Sequence, residues 1–198
     1  MNKIIKQNLI KNNMVGFTLL ETIVSVSLFV IIIILVSNIY LVTQRAYTKN
    51  SELAELTQNA RVSLDRISRE LRQASNIITI LPETNTDPLD PPTNQIFFQD
   101  GHDINQITYL RYYLDGTNLM REHKAYYFDE EPSIYFTYNS VDQAGDPPLE
   151  IILEDRIIGE YFTELEFWGS NGLINISLNL QKNQNNFPIK TSIFSRNY

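Results

Sequence analysis

The chain has no cysteine and only two histidines in 198 residues. The first absence excludes a disulfide framework, a thiolate metal site and a cysteine nucleophile. The second leaves His102 and His123 as the only imidazoles for acid–base chemistry, and neither lies in a catalytic pattern. There is no H-E-x-x-H zinc motif, no P-loop, and nothing like a nucleophile elbow around any serine. Basic residues are in deficit, 16 Lys and Arg against 23 Asp and Glu, for a net charge of −7 and a pI near 4.8. A nucleic-acid binder needs a basic face to neutralise phosphates, so that class is disfavoured. Proline and glycine are missing between Gly16 and Pro82, so nothing in that stretch breaks a helix.

What is present is unevenly distributed. Residues 1–16 carry Lys3, Lys6 and Lys11 and no acid; without those three lysines the rest of the chain has 13 basic and 23 acidic residues, a charge of −10. Residues 17–36, FTLLETIVSVSLFVIIIILV, hold Glu21 as their only ionisable side chain. Twenty helical residues at about 1.5 Å each span roughly 30 Å, the hydrocarbon thickness of a bilayer. A chain this small has no core deep enough to bury every face of Phe29 to Val36. The segment therefore reads as a membrane span, with the lysines keeping the N-terminus on the cytoplasmic side. A cleaved signal peptide fits poorly, because the apolar run is long and Val36-Ser37-Asn38 is the nearest approach to a small-residue cleavage site. An uncleaved signal anchor fits better, but explains neither Gly16 nor Glu21.

Gly16 stands where the basic leader meets the apolar run. It suits an extended, protease-accessible junction, or simply the start of the helix. Glu21 places a carboxylate in hydrocarbon, at a cost on the order of 2–3 kcal/mol or more depending on depth. It can snorkel to the nearby interface, or it can meet a positive partner within the membrane. A cut after Gly16 would create one, the amine of Phe17.

The stretch Gly16-Phe17-Thr18-Leu19-Leu20-Glu21 resembles the G-F-T-L-x-E signature of type IV prepilins and of the pseudopilins of type II secretion. The family pattern is a short basic leader ending in Gly, Phe at the first mature position, Glu at the fifth, and an apolar run. The resemblance implies cleavage between Gly16 and Phe17 by a prepilin peptidase, N-methylation of Phe17, and use of Glu21 to register subunits during filament assembly. It implies a structural subunit that is a substrate of an enzyme and not itself one. Its partners would be the peptidase, other pilin or pseudopilin subunits and the lipid bilayer, with no nucleic acid. The protein would sit in the cytoplasmic membrane with its C-terminal domain outside, and later in a filament or at its tip. Leu64–Ala74 (LDRISRELRQA), Ile107–Glu122 (ITYLRYYLDGTNLMRE) and Lys190–Asn197 (KTSIFSRN) are similar to segments of the J-type minor pseudopilins and W-type minor pilins. The C-terminal cysteine pair of many major pilins is absent, and the proline-rich linker is longer than the family pattern suggests. The competing reading is a membrane-anchored binding module that is neither cleaved nor polymerised.

Beyond the span, apolar residues recur at Leu53, Leu56, Ala60, Leu64, Ile67, Leu71, Ala74 and Ile78, spaced three or four apart, one face of an amphipathic helix. Glu52, Glu55, Arg61, Asp65, Arg66, Arg69, Glu70 and Arg72 mark the opposite, solvated face. The expected organisation is a leader (1–16), a transmembrane segment (17–36), an amphipathic extension (37–81) ended by Pro82, a linker (82–94) and a β-rich domain (95–198). Glu83, Asp87, Asp90, Asp100 and Asp103 gather carboxylates in or near the linker. Their spacing does not fit the alternating-oxygen loop of an EF-hand, and no metal or cofactor is expected. Strands are expected at Gln95–Gln99, Ile107–Leu114, Leu119–Phe128, Ser133–Tyr138, Leu149–Leu153, Arg156–Phe162, Glu164–Trp168, Gly172–Gln181 and Phe187–Phe194, with a hairpin turn at Asp115-Gly116-Thr117-Asn118. Consecutive strands without intervening helices predict an antiparallel sheet. The fold class is thus α+β and pilin-like, one long N-terminal helix laid on that sheet.

Overall fold

A computed structural model describes residues 16–103 and 106–196; the basic leader with its three lysines lies outside the described residues. The chain divides into two units, at Thr48/Lys49.

The first element is one α-helix, α1 (Leu19–Gln73), which is continuous because no residue within it lacks an N–H or forces a positive φ. Its most apolar 18 residues have a mean hydropathy of 2.9, and none of that window is buried by the protein. It is long and apolar enough to cross a bilayer. Within this stretch the Ser27 hydroxyl donates to the Ile23 carbonyl at 2.8 Å, and Thr43 does the same to Ile39 at 2.8 Å. These side chains meet their hydrogen-bonding need inside the helix, which for Ser27 suits an apolar surround.

In the globular unit the predicted stripe is the buried face of the helix. Leu56, Ala60, Leu64, Ile67, Leu71 and Ala74 join one core with residues from both sheets described below. Burying each large aliphatic side chain contributes about 2 kcal/mol. The helix ends at Gln73, not at residue 81. The β-branched run Ile77-Ile78-Thr79-Ile80 favours extended backbone, and the sheet recruits it: strand β1 (Asn76–Ile77) pairs with β2 (Ile96–Gln99). The Ser75 N–H donates to the Gln99 carbonyl and the Ile78 N–H to that of Phe97, at 3.0 and 2.9 Å. Gly101 allows the following loop to cross the helix end, since a Cβ there would stand 2.0 Å from the Gln73 carbonyl oxygen.

The strands form two antiparallel sheets instead of one. The first has the order β1-β2-β3-β4-β5, adding β3 (Thr108–Asp115), β4 (Asn118–Tyr127) and β5 (Leu149–Gly159). The second has the order β6-β7-β8, from Phe162–Ser170, Leu173–Lys182 and Asn185–Phe194. The expected hairpin turn joins β3 to β4, Asp115 facing Asn118, with Gly116 at φ 59°. The central strand β7 alternates as read: Ile174, Ile176, Leu178 and Leu180 are fully buried. Two expectations fail. Ser133–Tyr138 forms no strand and contributes only a bridge from Phe136 to Tyr126. Leu149–Leu153 and Arg156–Phe162 are one strand through Gly159, because Glu154 and Asp155 pair with β4 instead of turning. Phe162 belongs to β6, across a break at Tyr161 with φ 71°. The linker is tied to β6 through Thr93, whose N–H and carbonyl exchange bonds with Phe167 at 3.1 and 2.8 Å.

Candidate functional site

The sequence-predicted residues Gly16, Phe17 and Glu21 lie together at the start of α1. Gly16 is exposed, and apart from its chain neighbours no atom of the described residues lies within 4 Å of where a Cβ would stand. Phe17 is 83 % exposed. The Gly16–Phe17 peptide is therefore exposed, non-helical chain directly before a helix.

Thr18 is the N-cap and Glu21 the third residue of the first turn, and they form a reciprocal capping box. The Thr18 N–H donates to Glu21 Oε2 at 2.9 Å, and the Thr18 hydroxyl donates to the same oxygen at 3.1 Å. The Glu21 N–H donates back to Thr18 Oγ1 at 3.3 Å. A T-x-x-E pattern preceding an apolar run carries this signal in the sequence; a reading centred on the burial of the charge passes over it. The carboxylate thus has partners within its own chain, which neither snorkelling nor an intermolecular amine supplies.

A second concentration of charge lies in the globular unit, on the helix face expected to be merely solvated. Glu70 accepts from Arg121 Nε through both oxygens at 3.1 Å, from Arg66 at 3.3 Å, and from the buried Tyr112 hydroxyl. Arg121 also reaches Glu154 at 2.6 Å, and Glu154 holds Arg156 at 2.8 Å. Burial and the adjacent Glu70 charge push the Tyr112 hydroxyl far above the ordinary tyrosine range. Burial works against the charge of Arg121, but Glu70 outweighs it and raises the guanidinium pKa. Farther along the helix, Glu55 accepts from Lys182 at 2.6 Å, and Glu52 accepts from Asn183 and Asn185 at 2.7 and 2.5 Å. Helical acids here fasten the sheets, and only their distant partners reveal it.

His123 lies inside β4, with its Nε2 buried and, among the described residues, without a hydrogen-bond partner. Burial, followed by the Arg121 charge, lowers its pKa below the usual value, while Asp100, Glu154 and Glu70 oppose that shift. His102 is in the exposed loop after β2. The linker acids form no metal cage: among the described residues no three His, Asp or Glu side chains are grouped to hold an ion. Asp87 and Asp100 instead accept from the backbone of their own loops, at Leu89 and His102. Comparison with family models, curated proteins and solved structures finds no match to this chain.

Proposed function

We propose that this chain is a pilin-like structural subunit, cut between Gly16 and Phe17 by a prepilin peptidase, methylated on Phe17, and assembled through α1 into a type IV pilus or a secretion pseudopilus. The observation that carries the reading is the placement of an exposed Gly16–Phe17 junction immediately before the Thr18 cap, with Glu21 in the first turn of a long apolar helix that the protein leaves unburied. Each part has a physical use. The exposed junction admits a peptidase. The apolar helix holds the subunit in the bilayer until it is extracted. The carboxylate offers a buried anion to the amine of a neighbouring Phe17, an ion pair of large value in hydrocarbon because the alternative is two unpaired charges. The β-rich unit would face the outside, and the resemblance of its segments to J-type and W-type minor subunits favours a position at the filament tip.

The capping box favours a second reading, a membrane-anchored module in which Glu21 only starts the helix. Two substitutions separate them. Glu21→Gln keeps an acceptor for the Thr18 N–H but removes the charge; Glu21→Ala removes both. Charge pairing predicts that both block assembly while cleavage continues. Pure capping predicts that Gln behaves as the native residue. Mass spectrometry of the membrane-extracted protein should find a methylated N-terminus at Phe17. An intact leader in cells with an active prepilin peptidase would refute the processing step.

A further inference from the structure

A cleft of about 830 Å³ runs along the last turns of α1 in the globular unit, with Arg61, Arg66, Arg69, Arg121 and both histidines in its lining. Its apolar floor is Leu110, 1 % exposed, beside Val62. The unit is acidic overall, yet four arginines line this cleft against three acids, Asp65, Glu70 and Asp100. Arg66 and Arg121 share Glu70, and Arg121 also reaches Glu154 outside the lining. Arg69 is matched by Asp65, itself largely exposed. Arg61 is exposed and has no ion-pair partner among the described residues. Asp100 accepts from its own loop at the His102 N–H. The buried His123 Nε2 is also unpartnered among the described residues.

We propose that this cleft is the docking site of an extended acidic segment of another polypeptide, whose carboxylates pair with Arg61 and with the exposed faces of Arg66 and Arg69. Its length selects a peptide over a free ion. From Arg61 to Gln73 the wall extends about 18 Å at 1.5 Å per residue, which five or six extended residues cover at about 3.3 Å each. Arg61, Arg66 and Arg69 are spread over about 12 Å of helix, more than one carboxylate spans. Among the exposed acidic segments of the described chain, the linker offers the required chemistry, with Glu83, Asp87, Asp90 and a 93 % exposed Leu89. The proposal does not depend on processing or assembly at the N-terminus.

The two histidines report on the cleft directly. Full-length protein in detergent micelles, labelled at histidine, is titrated with three probes: a blocked peptide of sequence PETNTDPLDP, blocked hexaglutamate, and acetate at matched ionic strength. Saturable movement of the His123 Cε1–H resonance with either peptide, and not with acetate, is the expected result. Arg61→Glu should weaken the peptide about tenfold, as expected for reversing one charge at a steered contact. The same reversal at Lys190, on β8, should leave it unchanged. Binding by hexaglutamate alone supports the site and excludes a second copy's linker as its occupant. No saturable shift with either peptide, equal saturation by acetate, or indifference to Arg61→Glu overturns the proposal.

Discussion

Glu70 is the test of whether the charged face of α1 holds the globular unit together. Replacing it with Ala removes the bifurcated bond from Arg121, the bond from the Tyr112 hydroxyl and the i,i+4 pair with Arg66. The last is partly exposed and accounts for at most about 0.5 kcal/mol. Arg121 is 7 % exposed and keeps Glu154 at 2.6 Å, so its loss is that of one of two charged partners, about 1.5–3 kcal/mol. Tyr112 is fully buried, and its hydroxyl loses its Glu70 acceptor, a further penalty of about 1 kcal/mol or more. The expected destabilisation is about 3 kcal/mol. With a urea slope of about 2 kcal/mol/M, the unfolding midpoint of the full-length protein in detergent should fall by about 1.5 M. Trp168, the only tryptophan, lies on β6 and gives the fluorescence readout. Arg66→Ala is the comparison and should move the midpoint by about 0.3 M or less. A Glu70→Ala shift no larger than that of Arg66→Ala would show that the network is ornamental to stability and refute the reasoning.

Gly169 has φ 153°, and a Cβ there would meet the Leu173 carbonyl oxygen at 1.9 Å; Gly169→Ala should therefore cost about 2–4 kcal/mol by the same fluorescence assay. His123 is shifted below its unfolded value near 6.5, so the unfolded chain binds more protons in the window below that value. Stability should be full above about pH 7 and decline as the pH falls below the unfolded value, and His123→Gln should flatten that slope. Thr18→Ala should loosen the first turn of α1 by about 1 kcal/mol, read as faster amide exchange at Leu20 to Thr22 in micelles, while unfolding of the globular unit stays unchanged.

The sequence by itself determined whatever rests on neighbours along the chain. The apolar run, the unbroken helix, the buried stripe from Leu56 to Ala74, the Asp115–Asn118 hairpin and the alternation in β7 all follow from local periodicity and turn chemistry. The capping box is equally local and was legible in Thr18-Leu19-Leu20-Glu21. Tertiary structure alone decided where the helix stops, because pairing of Asn76 and Ile77 with β2 competes with continuing it. It also decided that the strands divide between two sheets and that β5 runs through Glu154 and Asp155. The roles of Glu52 and Glu70 were invisible for the same reason: their partners Asn185 and Arg121 lie 133 and 51 residues away. Periodicity can assign a charged residue to the polar side of a helix. Only the packed chain says which cation waits there, since a salt bridge or a cleft depends on distance in space and leaves no period in the sequence.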